Sequence, residues 1–539
     1  MNRYRTNPSA SLTLLAFLFL LCASPTHAAP VHAQPSAPAA PITRLPHMLS
    51  DHAVLQRDRP IHIWGWDAPG APVTVEFRHQ RASTHADDLG AWSVYLNPET
   101  AGGPDTLTIH GSTQITLADI LVGDVWFASG QSNMEIPLRG FPGSAVIKDA
   151  DKEIASADDP TVCGQIHLLL FDKKSNDFPL GDQPSSWTPC NSATATEFSA
   201  VAFFFGREIH AREHIPVGLI DSAWGGTPIA SWISLSALAS DSSLMPVFAA
   251  RARFADLQTN LAARIAYEQR STAAAKAANQ PAPQFMWHPN QASWEPSFLF
   301  NGMIAPATPY TIRGFLWYQG ETDSNRELHN PQLYHVLLPT LIRDWRARWN
   351  EGDLPFLYAQ ISNFNSPNED WGTIRDAERQ TLSVTNTAMA VTLDVGTRDN
   401  VHPPDKQTVA ARLALGARDL VYGEHVEDSG PLPISVTTVP AGKNEPDALR
   451  VWFSHAEGLR AINIPGKSSG NSDLHGFELA GADGHFHPAD ATIDGTTVVV
   501  RSSAVPHPSR VRYAWPSFTD ANLSNAAGLP ASTFLWPEP

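Results

Sequence analysis

Apolar and polar positions along the chain follow three successive patterns. From about Leu45 to Thr116, short runs alternate, as in Ile61-His62-Ile63, Val73-Thr74-Val75-Glu76-Phe77 and Trp92-Ser93-Val94-Tyr95-Leu96. Turn residues separate them, among them Ala68-Pro69-Gly70 and Gly102-Gly103-Pro104. A period of two with glycine and proline punctuation predicts a small β-sandwich over 45–117. From about Asp119 to Val421 the apolar runs become continuous, at 122–128, 166–171, 217–220, 315–317, 355–361 and 389–393. Stretches of helical character lie among them, over 198–214, 332–349, 374–385 and 405–421. Fully buried strands alternating with helices predict a parallel sheet covered on both faces, an α/β domain over 118–428. Alternation returns at 449–453, 497–501 and 510–513, so a second β-domain is expected over 429–539. Between about 235 and 283 an Ala/Gln/Arg-rich stretch interrupts the pattern, with Phe254, Leu257, Leu261 and Ile265 at helical spacing. It reads as an inserted helical arm with its apolar face against the core, or as a lid over a substrate.

The first residues belong to none of these patterns. Arg3 and Arg5 precede the apolar run 12–21, which gives way to Ser24-Pro25-Thr26-His27-Ala28. That order is the mark of an export signal over 1–28, with cleavage after Ala28 or Ala29. Leu21 before Cys22 argues against lipidation, and the run is short for a bilayer span. Residues 29–44 are Pro/Ala-rich and read as a tether. The mature protein is expected to be exported, periplasmic or secreted, with no membrane insertion. Export leaves Cys163 and Cys190, which either pair in an oxidising compartment or remain as two buried thiols.

Composition narrows the function classes. The 539 residues suffice for roughly two to four domains. With 42% hydrophobic and 17% charged residues the chain is not disordered. The 37 basic and 54 acidic residues give a net charge of −17, which repels phosphate backbones and argues against a nucleic-acid partner. No Cys-x-x-Cys or His-Glu-x-x-His spacing occurs, so neither a metal nor another cofactor is expected.

Candidate chemistry gathers at predicted strand ends. Gly130-Gln131-Ser132-Asn133-Met134 follows the run 122–128 through a glycine, placing Ser132 where a helix opens at the edge of a parallel sheet. Asp399-Asn400-Val401-His402 follows the run 389–393, and a carboxylate three residues before an imidazole suits the base and orienter of a serine hydrolase. Trp224-Gly225-Gly226-Thr227 lets backbone N–H groups approach a developing oxyanion. Trp317-Tyr318-Gln319-Gly320-Glu321 offers an amide donor in Gln319 and a bracing carboxylate in Glu321. Gly466-Lys467-Ser468-Ser469-Gly470 fits the letters of a nucleophile elbow, but it lies in the terminal β-region and reads as a hairpin loop.

Together, the blocks at 130–135, 222–229 and 316–321 and the run His402-Pro403-x-x-Lys406 resemble the sialate O-acetylesterase family of the SGNH hydrolase superfamily. The resemblance runs from about Met48 to Trp515. It implies a flavodoxin-like three-layer α/β core with a parallel sheet, flanked by N- and C-terminal β-sandwich-type domains. It also implies hydrolysis of O-acetyl esters on sugars without a metal. By the same resemblance Ser132 is the nucleophile and His402 the base. The oxyanion hole combines Ser132, Gly226 (or Gly225) and Gln319, where other SGNH enzymes carry an asparagine. Asp399 fits the superfamily's acid, with Asp394 or Glu321 as alternatives for orienting His402.

The expected partner is an acetylated oligo- or polysaccharide. Arg375 and Arg398 are the nearest candidates to bind a sialic acid carboxylate. Trp224, Trp232, Trp287, Trp317 and Trp371 are candidates to stack on sugar rings. With no basic cluster in the motif turns, a neutral glycan such as xylan or xyloglucan is the first expectation. O-acetylated sialic acid and a non-carbohydrate ester are the alternatives.

Overall fold

The computed structural model describes residues 42–538 except 284, 286, 287, 289, 327, 443–445 and 463–472. The expected export signal, most of the tether, Trp287 and the 466–470 loop with Ser468 lie outside the described residues.

Alternating and continuous apolar runs meet in one strand, β1 (Gln114–Gly130), which passes through residues 117 and 118. Its first positions alternate in exposure, and every position from Ile120 onward is buried. The outer half pairs antiparallel with Gly102–His110, itself joined to Pro72–Phe77 and then Gln80–His85. The inner half enters a parallel array with β2 (Ile166–Leu170), β3 (Val217–Ala223), β4 (Gly314–Tyr318), β5 (Phe356–Ala359) and β6 (Thr387–Ala390). The order across that array is β6-β5-β4-β1-β3-β2. With Val54–Gln56 parallel to the middle of β1 and Thr188–Pro189 antiparallel at the β2 edge, the described residues form one mixed sheet of 11 strands.

Helices α1 (Ser132–Glu135), α2 (Ala200–Glu213), α3 (Tyr334–Trp349), α4 (Trp371–Gln380) and α5 (Lys406–Leu420) follow strands in the chain. Successive strand residues point to opposite faces of a sheet. Trp126 of β1 meets Phe205 of α2, with ring centroids 5.0 Å apart. Phe127 turns the other way, to Trp345 and Trp349 of α3 at 6.0 and 5.4 Å. Each face of the sheet therefore meets a helix, which is why β1 carries a continuous rather than alternating apolar run. The run expected as a strand at 389–393 pairs only through Ala390, although Val391, Thr392 and Leu393 remain buried. Hydrophobicity there reports burial beyond the point where ladder pairing stops.

Two further regions flank this sheet. Ile61–Trp66 and Ala91–Leu96 form a separate two-stranded sheet. Toward the C-terminus, one four-stranded sheet contains Leu432–Val439 and Ala448–Ser454, and another contains Phe477–Ala480 and Arg510–Tyr513. Arg375 of α4 fastens this region to the core. Its guanidinium donates to the main-chain carbonyls of Ile361 (3.0 Å), Ser362 (2.9 Å), Pro516 (3.1 Å) and Ser517 (2.9 Å). Arg375 is thus a buried structural tie, not the carboxylate reader considered from the sequence.

The inserted stretch forms helices Leu235–Ser240, Pro246–Gln258 and Leu261–Ala277. Phe254 does not join the main core. It packs on Trp294 (4.6 Å) in a small cluster completed by Leu328, while Leu261 and Ile265 are half-buried. The side chain of Leu257 lies outside the described ones. Cys163 and Cys190 are joined by a disulfide, with Cα atoms 5.4 Å apart. No described helix is long and apolar enough to cross a membrane.

Candidate active site

β1 ends at Gly130, whose φ of +139° favours glycine; a Cβ there would lie 2.2 Å from the carbonyl oxygen of Tyr318 on β4. This close approach lets the chain turn at once into α1, so Ser132 stands at the strand's C-terminal edge. The Gln131 N–H donates to Tyr318 O (2.9 Å), locking the turn to the neighbouring strand. Ser132 Oγ lies 3.0 Å from His402 Nε2, which comes from the loop between β6 and α5. Two strand ends thereby bring together, from 270 residues apart, the serine and the histidine expected as nucleophile and base.

His402 is tuned to stay neutral. Burial, then the nearby Lys406 ammonium, pushes its pKa down to about 4. The Ser144 main-chain carbonyl lies close enough to the ring to oppose that shift weakly. A neutral ring can turn the lone pair of Nε2 to the Ser132 hydroxyl. Asn400 fixes this arrangement. Its Oδ1 accepts from the His402 N–H (2.9 Å), and its Nδ2 donates to Ser144 O (2.9 Å).

None of the three expected carboxylates contacts His402. Asp399 is exposed and has no hydrogen-bond or ion-pair partner among the described residues. Asp394 forms a two-pronged pair with Arg412 (2.6 and 2.7 Å). Glu321 is buried and accepts from Asn133 Nδ2 (2.5 Å). The spacing that nominated Asp399 put it in the same loop as His402, but its side chain faces solvent.

Glu321 instead belongs to a network under the nucleophile. The Asn133 amide, next to Ser132, donates to Glu321 and to the Val401 carbonyl (3.1 Å), next to His402. Asn133 Oδ1 accepts from Lys406 Nζ (2.5 Å). Burial pushes Lys406 down to about 7 and Glu321 upward. One amide thus clamps the serine turn to the histidine loop. Asn133 and Lys406 stood inside the quoted motifs without an assigned role. Ser144 carries no sequence signal, because its contribution is a backbone atom.

The other two turns divide the remaining roles. The Gly225 N–H is bonded to the Glu135 carboxylate, which also takes Lys173 Nζ. A Cβ on Gly225 would sit 3.1 Å from Ser132 Cβ, so this turn rests directly on the nucleophile. Gly226 keeps its N–H out of that bond and is held by Trp294 Nε1 donating to its carbonyl (2.7 Å). Gln319 is buried, and its amide nitrogen donates to Thr227 O (3.1 Å) and Asp323 Oδ2 (2.5 Å). Both its N–H groups are therefore committed, so this geometry fastens the glycine turn to β4 and presents no free amide to an oxyanion. Trp232, Trp317 and Trp371 are fully buried and cannot stack on a sugar; Trp224 is half-buried.

The pH profile tests the tuned histidine. Protonation of His402 removes the base, so kcat/KM falls as pH drops through its pKa. For a soluble acetyl ester, kcat/KM should hold its plateau down to about pH 5 and fall only towards His402's pKa of about 4. An acid limb centred near 6.5, the ordinary imidazole value, would contradict the buried setting.

Residues 284–418 match the family described as carbohydrate esterase, sialic acid-specific acetylesterase, a range that holds His402 but not Ser132. The sialate O-acetylesterase of Rattus norvegicus is 30% identical over 526 residues, covering 88% of this chain and 90% of its own. That of Mus musculus is 30% identical over 437 residues, covering 72% and 76%. A crystal structure of a carbohydrate acetylesterase from Xanthomonas citri matches with a TM-score of 0.75 at 32% identity, over 92% of this chain and 99% of that one. Likeness of this extent takes in the β-regions as well as the catalytic turns: the protein belongs to the sialate O-acetylesterase family and is a carboxylic ester hydrolase.

Proposed function

We propose that the protein is an exported serine esterase that removes O-acetyl groups from carbohydrates through an acetyl-enzyme on Ser132. The observation that carries this reading is the 3.0 Å contact between Ser132 Oγ, at the end of β1, and a neutral His402 in the loop after β6. Ser132 attacks the acetyl carbonyl while His402 Nε2 takes its proton. The N–H groups of Ser132 and Gly226 stabilise the oxyanion, one at the opening of α1 and one in the glycine turn. The imidazolium then protonates the departing sugar oxygen, and in the second half His402 activates a water that releases acetate.

Strand order supports the flavodoxin-like, three-layer core. Setting aside the edge strand β2, the array β3-β1-β4-β5-β6 reads 2-1-3-4-5 along the chain, the flavodoxin order, whose ligand crevice opens at the 1/3 junction. Here that junction is β1/β4, where Ser132 follows one strand and Gln319 the other. Export is supported by the N-terminal pattern and by the Cys163–Cys190 bridge, since disulfides persist in oxidising compartments. The relatives' names favour an acetylated sugar, with sialic acid named more often than any other; no observation favours hemicellulose within that class.

A panel of acetylated sialic acid, acetylated xylan and xyloglucan oligosaccharides, with p-nitrophenyl acetate and butyrate as simple esters, tests the reading. Acetate should be released from at least one acetylated sugar with a kcat/KM above that for p-nitrophenyl acetate. Turnover confined to the simple esters, or a preference for butyrate, would overturn it.

A further inference from the structure

We propose that Arg398 is a specificity residue that takes the carboxylate of an acidic acetylated sugar, in a cleft between the His402 loop and the C-terminal β-region. The inference rests on the esterase reading above. The cleft encloses about 400 Å³, within the ~300–1,000 Å³ typical of small-ligand sites. Arg398 lines it together with Phe477, Glu478, Pro516, Phe518 and Asp520. Arg398 precedes the catalytic base in the same loop, and its main-chain carbonyl is pinned by the Asn365 N–H (3.0 Å).

The guanidinium itself is exposed, with its carbon 4.1 Å from the centroid of the Phe518 ring. Stacking on an aromatic ring holds the guanidinium while leaving N–H donors available at its edges. Among the described residues those donors have no acceptor. Arginines nearby are committed: Arg375 to main-chain carbonyls, Arg412 to Asp394, and Arg512 to Glu478 (2.8 and 3.1 Å). The Arg512 pair also neutralises the Glu478 carboxylate in the cleft. Asp520, exposed, opposes an anion only through solvent, where salt screens it. A fixed guanidinium fork matches a carboxylate with two parallel hydrogen bonds, whereas a neutral sugar leaves that fork unused. The ligand class is therefore a sugar that carries a carboxylate, such as a sialic or uronic acid.

The test compares O-acetylated sialic acid with its carboxamide, which keeps the shape and removes the charge. In the wild type the carboxamide should raise KM roughly tenfold or more, the loss of a charged hydrogen-bonded contact. In Arg398→Ala the two substrates should become equivalent, and Arg398→Lys should recover part of the difference. Because the readout is a ratio within each variant, any general disturbance of the His402 loop cancels. An unchanged ratio in Arg398→Ala, or no preference in the wild type, overturns the assignment. Acetate release from neutral sugars together with no acid preference would sink this inference and leave the esterase reading standing. Turnover of p-nitrophenyl acetate with no acetylated sugar at all would sink both.

Discussion

Ser132→Ala should leave the fold intact and lower acetyl-ester turnover by roughly 10⁴- to 10⁶-fold, the range expected when a serine nucleophile is lost. The fold should survive because Ser132 Oγ bonds to His402 alone, and Gln131, not Ser132, caps α1. The α1 backbone and the Gln131–Tyr318 bond are untouched by the change, so the remaining donors still bind the ester. Only the covalent path disappears. Steady-state acetate release, with circular dichroism to confirm folding, checks this; a variant that kept a tenth of wild-type activity would place the nucleophile elsewhere.

The second large effect separates the base from the carboxylate next to it in sequence. His402→Asn should cost at least ~10³-fold in kcat, since among the described residues no other imidazole reaches Ser132. Asp399→Asn should change kcat by less than about threefold, as an exposed side chain without partners has little to lose. In an Asp-oriented triad the same substitution costs about 10⁴-fold, because the wrong tautomer is favoured. The contrast is wide enough to decide. A collapse of Asp399→Asn to the level of His402→Asn would show that the loop swings its carboxylate onto the ring during turnover.

That loop also marks the limit of what the amino-acid sequence made legible. The strand runs at 122–128, 166–171 and 217–220 were readable because burial on two faces demands uninterrupted apolar residues. The meeting of Ser132 with His402 was readable because a tight glycine turn and a loop after a parallel strand both open at the same edge of the sheet. The orienter of His402 was not, since Asp-x-x-His spacing says that two residues share a loop and nothing about side-chain direction. What holds the loop there is the carbonyl of Ser144, which accepts from Asn400 Nδ2, and any residue supplies a carbonyl. Gln319 misled for a different reason. An amide at a strand end looks available until its neighbours Thr227 and Asp323 are in place. Arg375 and the buried tryptophans show the same limit: polar or aromatic type marks a capacity, and only packing decides whether it is spent inside.

β1 carries one more consequence. Its outer residues pair with Gly102–His110 and its inner residues with β3 and β4, within one unbroken strand that ends two residues before Ser132. No seam exists at which the N-terminal β-region could be cut away without stripping an antiparallel partner from the strand that presents the nucleophile. Such a region cannot be traded between proteins as an appended glycan-binding module can. In recombination between genes, the strand Gly102–His110 and the serine turn have to be inherited as one piece.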